Sequence, residues 1–182
     1  MRNFSHSISW VGLVLAVFSL GIMAGFFGTY SGNVNLATLE LDGPTYALVQ
    51  SAFNRNVRHV LFFAFFFGPP LCCALALASA WRARPGWWWL LGLIGLAYAL
   101  GIVFFTREVN LPLNQLTESW TPANLPADWS ATRDAWNRAN AWRAGCSALL
   151  FALSLVALTW RAASLPNAPR GHMVRRTAPG AA

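Results

Sequence analysis

The sequence predicts an all-α integral membrane protein: a four-helix bundle with two long loops capping one face. Three observations predict it. The 182 residues are 56% hydrophobic and only 10% charged, whereas a soluble domain carries about 25% charged residues. Ten tryptophans and thirteen phenylalanines crowd this short chain, and the mean hydropathy is +0.44. Uncharged apolar runs cover 8–30, 60–81, 87–105 and 144–160. Each has the roughly 17 to 23 residues that cross a hydrocarbon core at 1.5 Å per residue. A soluble protein with a large core would show polar faces at period 3.6, and these runs show almost none.

Four helices are expected over about 8–30, 57–81, 87–108 and 138–161, forming one domain of residues 1–162. Residues 163–182, rich in Pro, Gly, Ala and Arg, read as a disordered basic cytoplasmic tail. The first run is too long for the apolar core of a cleavable signal and ends in GTYSGNVN rather than a cleavage site. Its Gly21, Gly25, Gly28 and Gly32 follow one stripe at spacings of three and four, a seam for close helix packing in lipid. In the second helix Gly68-Pro69-Pro70 predicts a kink or break. RARPG then merely turns the chain into the third. Cys72, Cys73 and Cys146 lack metal or disulfide spacing and read as small apolar residues.

The other two connections, 31–56 and 107–140, are long, and loops beyond about 15 residues are uncommon unless functional or disordered. Their leucines and tryptophans argue against disorder, so short amphipathic helices are expected over 45–56 and 126–140.

All thirteen basic residues are arginine. An even number of spans puts both termini and the short loop on one side. Arg2, Arg82, Arg84, Arg161, Arg170, Arg175 and Arg176 lie there, without a single Asp or Glu. The opposite side holds six arginines and all six acidic residues, Glu40, Asp42, Glu108, Glu118, Asp128 and Asp134. Arginine density therefore places both termini in the cytoplasm of a cell inner (plasma) membrane. Trp10, Trp81, Trp87, Trp88, Trp89 and Trp160 form a belt at that interface. The pI of 10.7 is topogenic. The expected partner is membrane lipid, with attraction of anionic lipid by the basic tail, and no nucleic acid. Homo-oligomerisation is left open.

Polar side chains converge on the far face from three helices. Asn54 and Arg58 share one helical face before the second span, as do Arg55 and His59. After the third comes TREVNLPLNQ, where Thr106, Asn110 and Asn114 are spaced by four. Pro112 removes an N–H and clashes with the carbonyl of Glu108, so the helix should distort there, with the asparagines satisfying the freed backbone. Entering the fourth span, Trp136, Asn140, Arg143 and Ser147 form one stripe. Irregular backbone at membrane depth survives only inside protein or beside a wet cavity, which suggests a polar pocket roofed by the long loops. A mutually satisfied structural network is the competing reading. His59 is the one histidine near this cluster, and nothing accompanies it at metal-ligand spacing. No phosphate loop, dinucleotide fingerprint or hydrolase triad appears. No metal and no cofactor is expected.

The order T-x-x-V-N-x-P-L-N after a third helix, then W-x-R-x-N-x-x-R opening a fourth, resembles the anthrone oxygenase-like family of small four-helix membrane proteins. The matching residues are Thr106, Val109, Asn110, Pro112, Leu113 and Asn114, then Trp136, Arg138, Asn140 and Arg143. The resemblance implies oxidation of a lipophilic anthrone-like aromatic by O₂ without a recognised cofactor. It also implies a catalytic pair, His59 as base and Arg143, with Arg58, holding the developing oxyanion. Asn54, Glu108, Asn110, Asn114, Trp136 and Asn140 would then line the substrate site together with Arg58. A non-catalytic accessory or lipid-binding protein with a structural polar cluster is the alternative.

Overall fold

The computed structural model describes residues 2–164, so the expectation of a disordered tail falls, from residue 165 on, outside the described residues. Five helices make up the protein and no strand occurs among the described residues. We label them α1 (2–38), α2 (Gly43–Asn56), α3 (Val60–Ser79), α4 (Gly86–Glu118) and α5 (Trp129–Ala163). All but α2 are long and apolar enough to cross a bilayer. The protein is an integral multi-pass membrane protein.

The helices run further than the apolar runs do. No proline interrupts the chain between Met1 and Asp42, so α1 continues past Tyr30 through a π-helical turn, Tyr30–Val34, to Thr38. Asp42 then caps α2, its Oδ1 accepting from the Thr45 N–H at 2.8 Å, with Pro44 in the first turn. That hydrogen bonding holds the Asp42 carboxyl below its ordinary range. The helix expected over 126–140 is the outer part of α5, which is unbroken from Trp129 to Ala163. The expected loops of 26 and 34 residues therefore shrink to short links. The 33 candidate-span residues of α1 and of α4 extend about 50 Å, some 20 Å beyond a hydrocarbon core of about 30 Å. Helix α3 has 20 residues and about 30 Å. Three helices thus project from one face while α3 stops short, and α2 lies over the space this leaves.

Two local expectations are corrected. Gly68-Pro69-Pro70 does not break α3, which runs continuously from Val60 to Ser79. The glycine seam is also displaced. A Cβ on Gly25, Gly28 or Gly32 would meet no neighbouring group within 4 Å, whereas one on Gly21 would lie 3.0 Å from the Phe151 ring, and one on Gly12 3.0 Å from the Ala76 N and 3.1 Å from the Cys72 carbonyl. Gly12 is where α1 and α3 approach most tightly.

Pro112 has the effect its chemistry requires. Helix α4 widens into π-helical turns at Ala99–Phe104 and Thr106–Asn110, then resumes as an α-helix from Leu111. The wider turns accommodate the proline ring and the missing N–H without a break.

Leu20, Met23, Phe27, Phe66, Ile94, Tyr98 and Ile102 pack the middle of the bundle, and Leu13, Ala16, Cys73, Trp87 and Leu91 its terminal end. Tyr46, Ala47 and Trp120 form a small separate core that holds α2 down. Burial pushes the Tyr46 hydroxyl up from its ordinary pKa. Helix α5 buries one continuous stripe, Trp136, Asn140, Arg143, Ser147, Leu150, Ser154, Ala157 and Arg161, at the spacing of a single helical face.

Candidate active site

The space beside the short helix α3 is a cavity of about 650 Å³. Phe26, Phe27 and Tyr30 of α1, Phe53 of α2, and Phe62, Phe63, Phe66 and Phe67 of α3 supply its aromatic walls. Val103, Thr106, Arg107, Leu111 and Asn114 of α4 and Trp136, Asn140 and Arg143 of α5 also line it, as do residues 54 and 56–59 at the α2–α3 junction. The volume is that of a small-molecule site, apolar with a few convergent polar groups. Exposure shows which way it faces. Phe63 and Phe67 are each 42% exposed and Leu111 is 41% exposed, whereas Phe27, Trp136, Asn140 and Arg143 at the back are buried. Phe26 and Phe53 are exposed as well, as are Asn56, Arg58 and His59, so the cavity is closed at Arg143 and reaches the outer surface along apolar side chains of α1–α4 and a polar edge at the α2–α3 link.

Arg143 sits at the back wall. One guanidinium nitrogen, Nη2, donates to Asn140 Oδ1 at 2.8 Å and Nη1 donates to Thr106 Oγ1 at 3.4 Å. The Phe27 ring centroid lies 4.6 Å from its central carbon. Its Nε is buried without a hydrogen-bond partner. Among the described residues no carboxylate pairs with it: the ion pairs are Arg58–Glu118, Arg107–Glu108 and Arg133–Asp134. Asn140 is itself oriented by donating from Nδ2 to Ser31 Oγ at 2.8 Å. The cavity thus carries a buried, positioned cation whose partners are all neutral.

A second set of polar side chains is mutually satisfied. Gln50 Nε2 donates to Asn54 Oδ1 (2.9 Å), and Asn54 Nδ2 donates to Thr117 Oγ1 (3.1 Å). Thr117 Oγ1 donates to the Asn114 carbonyl (3.0 Å), and Trp136 Nε1 donates to Asn114 Oδ1 (2.7 Å). This chain ties α2, the end of α4 and the start of α5 together. Arg58 pairs with Glu118 across the same junction.

Of the residues singled out from the sequence, Asn54, Arg58, His59, Asn114, Trp136, Asn140 and Arg143 all line the cavity. Glu108 and Asn110 do not. Glu108 is exposed and lies 3.4 Å from Arg107, because the π-helical turn rotates it outward. Asn110 is fully buried, yet neither of its side-chain polar atoms has a partner. It does not satisfy freed backbone groups. His59 is the N-cap of α3, its Nδ1 accepting from the Phe62 N–H at 3.3 Å. A neutral imidazole accepting at Nδ1 carries its proton on Nε2.

Sequence reading missed Tyr30 and the rows of phenylalanine. Tyr30 packs 5.2 Å from Trp136 and 5.9 Å from Phe53, ring to ring. The signal was present in Phe26, Phe27 and Tyr30, which share a face of the helix expected over 8–30. Arg107, which also lines the cavity, lies inside the expected third helix beside Thr106. Among the described residues no group of three His, Cys, Asp or Glu side chains converges. The cavity therefore offers guanidinium, carboxamide, hydroxyl and imidazole groups against aromatic walls.

No curated protein and no solved structure matches the chain. The family model described as anthrone oxygenase matches residues 59–162, more than half of the chain, from His59 through both polar motifs and Arg143. The chain belongs to the anthrone oxygenase family.

Proposed function

We propose that the cavity takes a flat, lipophilic phenolic aromatic of the anthrone type from the bilayer and supports its oxidation by O₂ to the quinone. One observation carries this reading: among the described residues a buried arginine without a carboxylate partner, Arg143, closes a cavity whose phenylalanine walls reach the bundle's outer surface. A buried cation of this kind favours a ligand oxygen that becomes negative. In the reaction a methylene C–H opposite the ring carbonyl is lost as a proton to water at the exposed polar edge of the cavity, where Asn56, Arg58 and His59 line it, and the electrons delocalise onto the carbonyl oxygen beside Arg143. The resulting enolate reduces O₂, a C–O bond forms at the former methylene carbon, and the hydroperoxide loses water to leave the second carbonyl. One O₂ is consumed, one oxygen atom enters the product and the other leaves as water. The test is turnover of an anthrone by the purified protein in lipid nanodiscs, followed by quinone absorbance. A rate no faster than the spontaneous one in protein-free nanodiscs would overturn the proposal.

In this reading His59 caps α3 rather than serving as the base, because its one lone pair is engaged by Phe62. Asparagine is a good N-cap and has no basic nitrogen. His59→Asn is therefore expected to retain most of the turnover, while His59→Ala costs about 1 kcal/mol of stability. A folded His59→Asn protein without activity would return the base role to His59. The satisfied chain through Gln50, Asn54, Thr117 and Asn114 favours a second reading, a non-catalytic membrane accessory or lipid-binding protein. That reading expects no turnover from any folded variant.

The cavity mouth is assigned to the non-cytoplasmic half of the membrane and both termini to the cytoplasm. This rests on the seven arginines and no acidic residue of the terminal side. A reporter fused after Ala182 that fluoresces only in the cytoplasm is expected to fluoresce, and silence from an expressed fusion would invert the orientation.

A further inference from the structure

The stripe of α5 that carries Arg143 carries a second buried arginine at its other end. Arg161 is 3% exposed, and 18 residues of helix separate the two by about 27 Å, close to the thickness of a hydrocarbon core. The two guanidinium groups therefore mark opposite interfaces. Around Arg161 the chain provides an unusually complete cradle. The Trp10 and Trp87 ring centroids each lie 4.4 Å from the guanidinium carbon. Its Nη2 donates to the His6 carbonyl at 3.2 Å and to Ser9 Oγ at 2.5 Å, and Ser9 in turn donates to the His6 carbonyl at 3.0 Å. Its Nη1 is buried with no hydrogen-bond partner.

Rings over a guanidinium occupy its faces, so further ligands must approach its edge, the fork that matches an oxyanion. Nη2 already spends that edge on α1, and Nη1 is the part left over. The charge also lacks a counter-ion: no Asp or Glu occurs on the terminal side of the chain. Next to it, α5's neighbour α4 begins at Gly86 with Pro85 as an N-cap that provides no side-chain acceptor, so its first N–H groups face the same interface with partial positive charge. The Trp160 ring covers this helix start, 2.3 Å from where a Gly86 Cβ would be. Arg82 and Arg84 lie exposed on the adjoining turn, with Arg84 stacked 3.7 Å over Trp81.

We propose that Arg161, framed by Trp10 and Trp87, is a binding site for a phosphate oxyanion, supplied by the headgroup of an anionic phospholipid. The aromatic frame stands at headgroup level and the acyl chains lie along the apolar flanks of α1 and α4, so lipid provides the anion where the cation is fixed. The site is independent of the cavity: it lies at the opposite interface and does not depend on any reaction there.

The test compares the full-length protein in nanodiscs of phosphatidylcholine, of phosphatidylcholine with phosphatidylglycerol, and of phosphatidylcholine with millimolar inorganic phosphate. Phosphatidylglycerol is expected to raise the unfolding midpoint by about 3 °C or more. Arg161→Gln removes that increment and Arg84→Gln leaves most of it. An equal increment from inorganic phosphate overturns the lipid assignment. An increment of the same size in Arg161→Gln shows general surface attraction and overturns the site. A photo-crosslinkable phosphatidylglycerol tests the unmutated protein, so a poorly folding variant leaves the question decidable. Labelling should concentrate on peptides containing Trp10, Trp87 or Arg161, and labelling confined to other peptides overturns the proposal.

Discussion

Replacing Arg143 by methionine is expected to lower anthrone turnover by about 100- to 1,000-fold while leaving the protein folded. The magnitude is that of removing one preorganised donor from a developing oxyanion in a water-poor site. Methionine is chosen because it keeps the length and apolar stem of arginine and removes the charge. Methionine leaves the Asn140 and Thr106 oxygens without this donor, a cost of about 1 to 3 kcal/mol, which is less than stranding a buried charge. Here the guanidinium has only neutral acceptors, Asn140 Oδ1 and Thr106 Oγ1, so no carboxylate is stranded by the change. Arg143→Lys keeps the charge but loses the fork that holds Asn140 and Thr106 together, and should fall between the wild type and methionine. Turnover and unfolding midpoint measured on the same nanodisc preparations separate the outcomes. If methionine loses stability and activity in parallel, Arg143 is a structural tie. If it keeps full activity, the cavity's chemistry does not run through its cation.

The same arginine shows how much of the protein was legible beforehand. Hydropathy located four spans because lipid demands long apolar helices with every backbone group paired internally. The polar stripe Trp136–Asn140–Arg143–Ser147 was legible because a helix fixes which residues share a face. What lay outside this reading was the extent of the helices beyond the lipid. No proline or cap follows Tyr30 until Asp42 and Pro44, so α1 continues, but the polar run Ser31-Gly32-Asn33 resembles a loop to any reading based on hydropathy. That one boundary concealed the outer turn of α1, whose Ser31 accepts from Asn140 behind the cavity. Pro112 was read correctly as a distortion, yet its form depends on where the extra backbone goes. A π-helical turn rotates Glu108 out to solvent and Asn110 into the core. The cavity itself follows from a length difference, since α3, at 20 residues, is about two-fifths shorter than the 33-residue α4, and no single residue encodes that.

The asparagines of this face are expected to respond to substitution with opposite signs. Asn54→Ala should destabilise the protein by about 3 kcal/mol, because it strands two buried partners at once, the Gln50 amide and the Thr117 hydroxyl. Thr117 keeps its bond to the Asn114 carbonyl, so Gln50 should bear more of the cost. A double-mutant cycle with Thr117→Val then isolates the Asn54–Thr117 coupling, expected at about 1 kcal/mol. Asn110 is equally buried, but neither of its polar atoms has a partner, so the desolvation of its amide is already borne by the folded state. Asn110→Leu, similar in volume and without polar atoms, should be neutral or raise stability by about 1 kcal/mol. Both are read by denaturant or thermal unfolding in one lipid composition. Asn54→Ala that unfolds like the wild type would show that the chain from Gln50 to Asn114 does not hold α2 over the cavity. Loss of stability in Asn110→Leu would show that its amide makes a contact in the membrane that its surroundings in the bundle do not supply. The two signs together separate asparagines that hold the helices in place from one whose burial serves something other than stability.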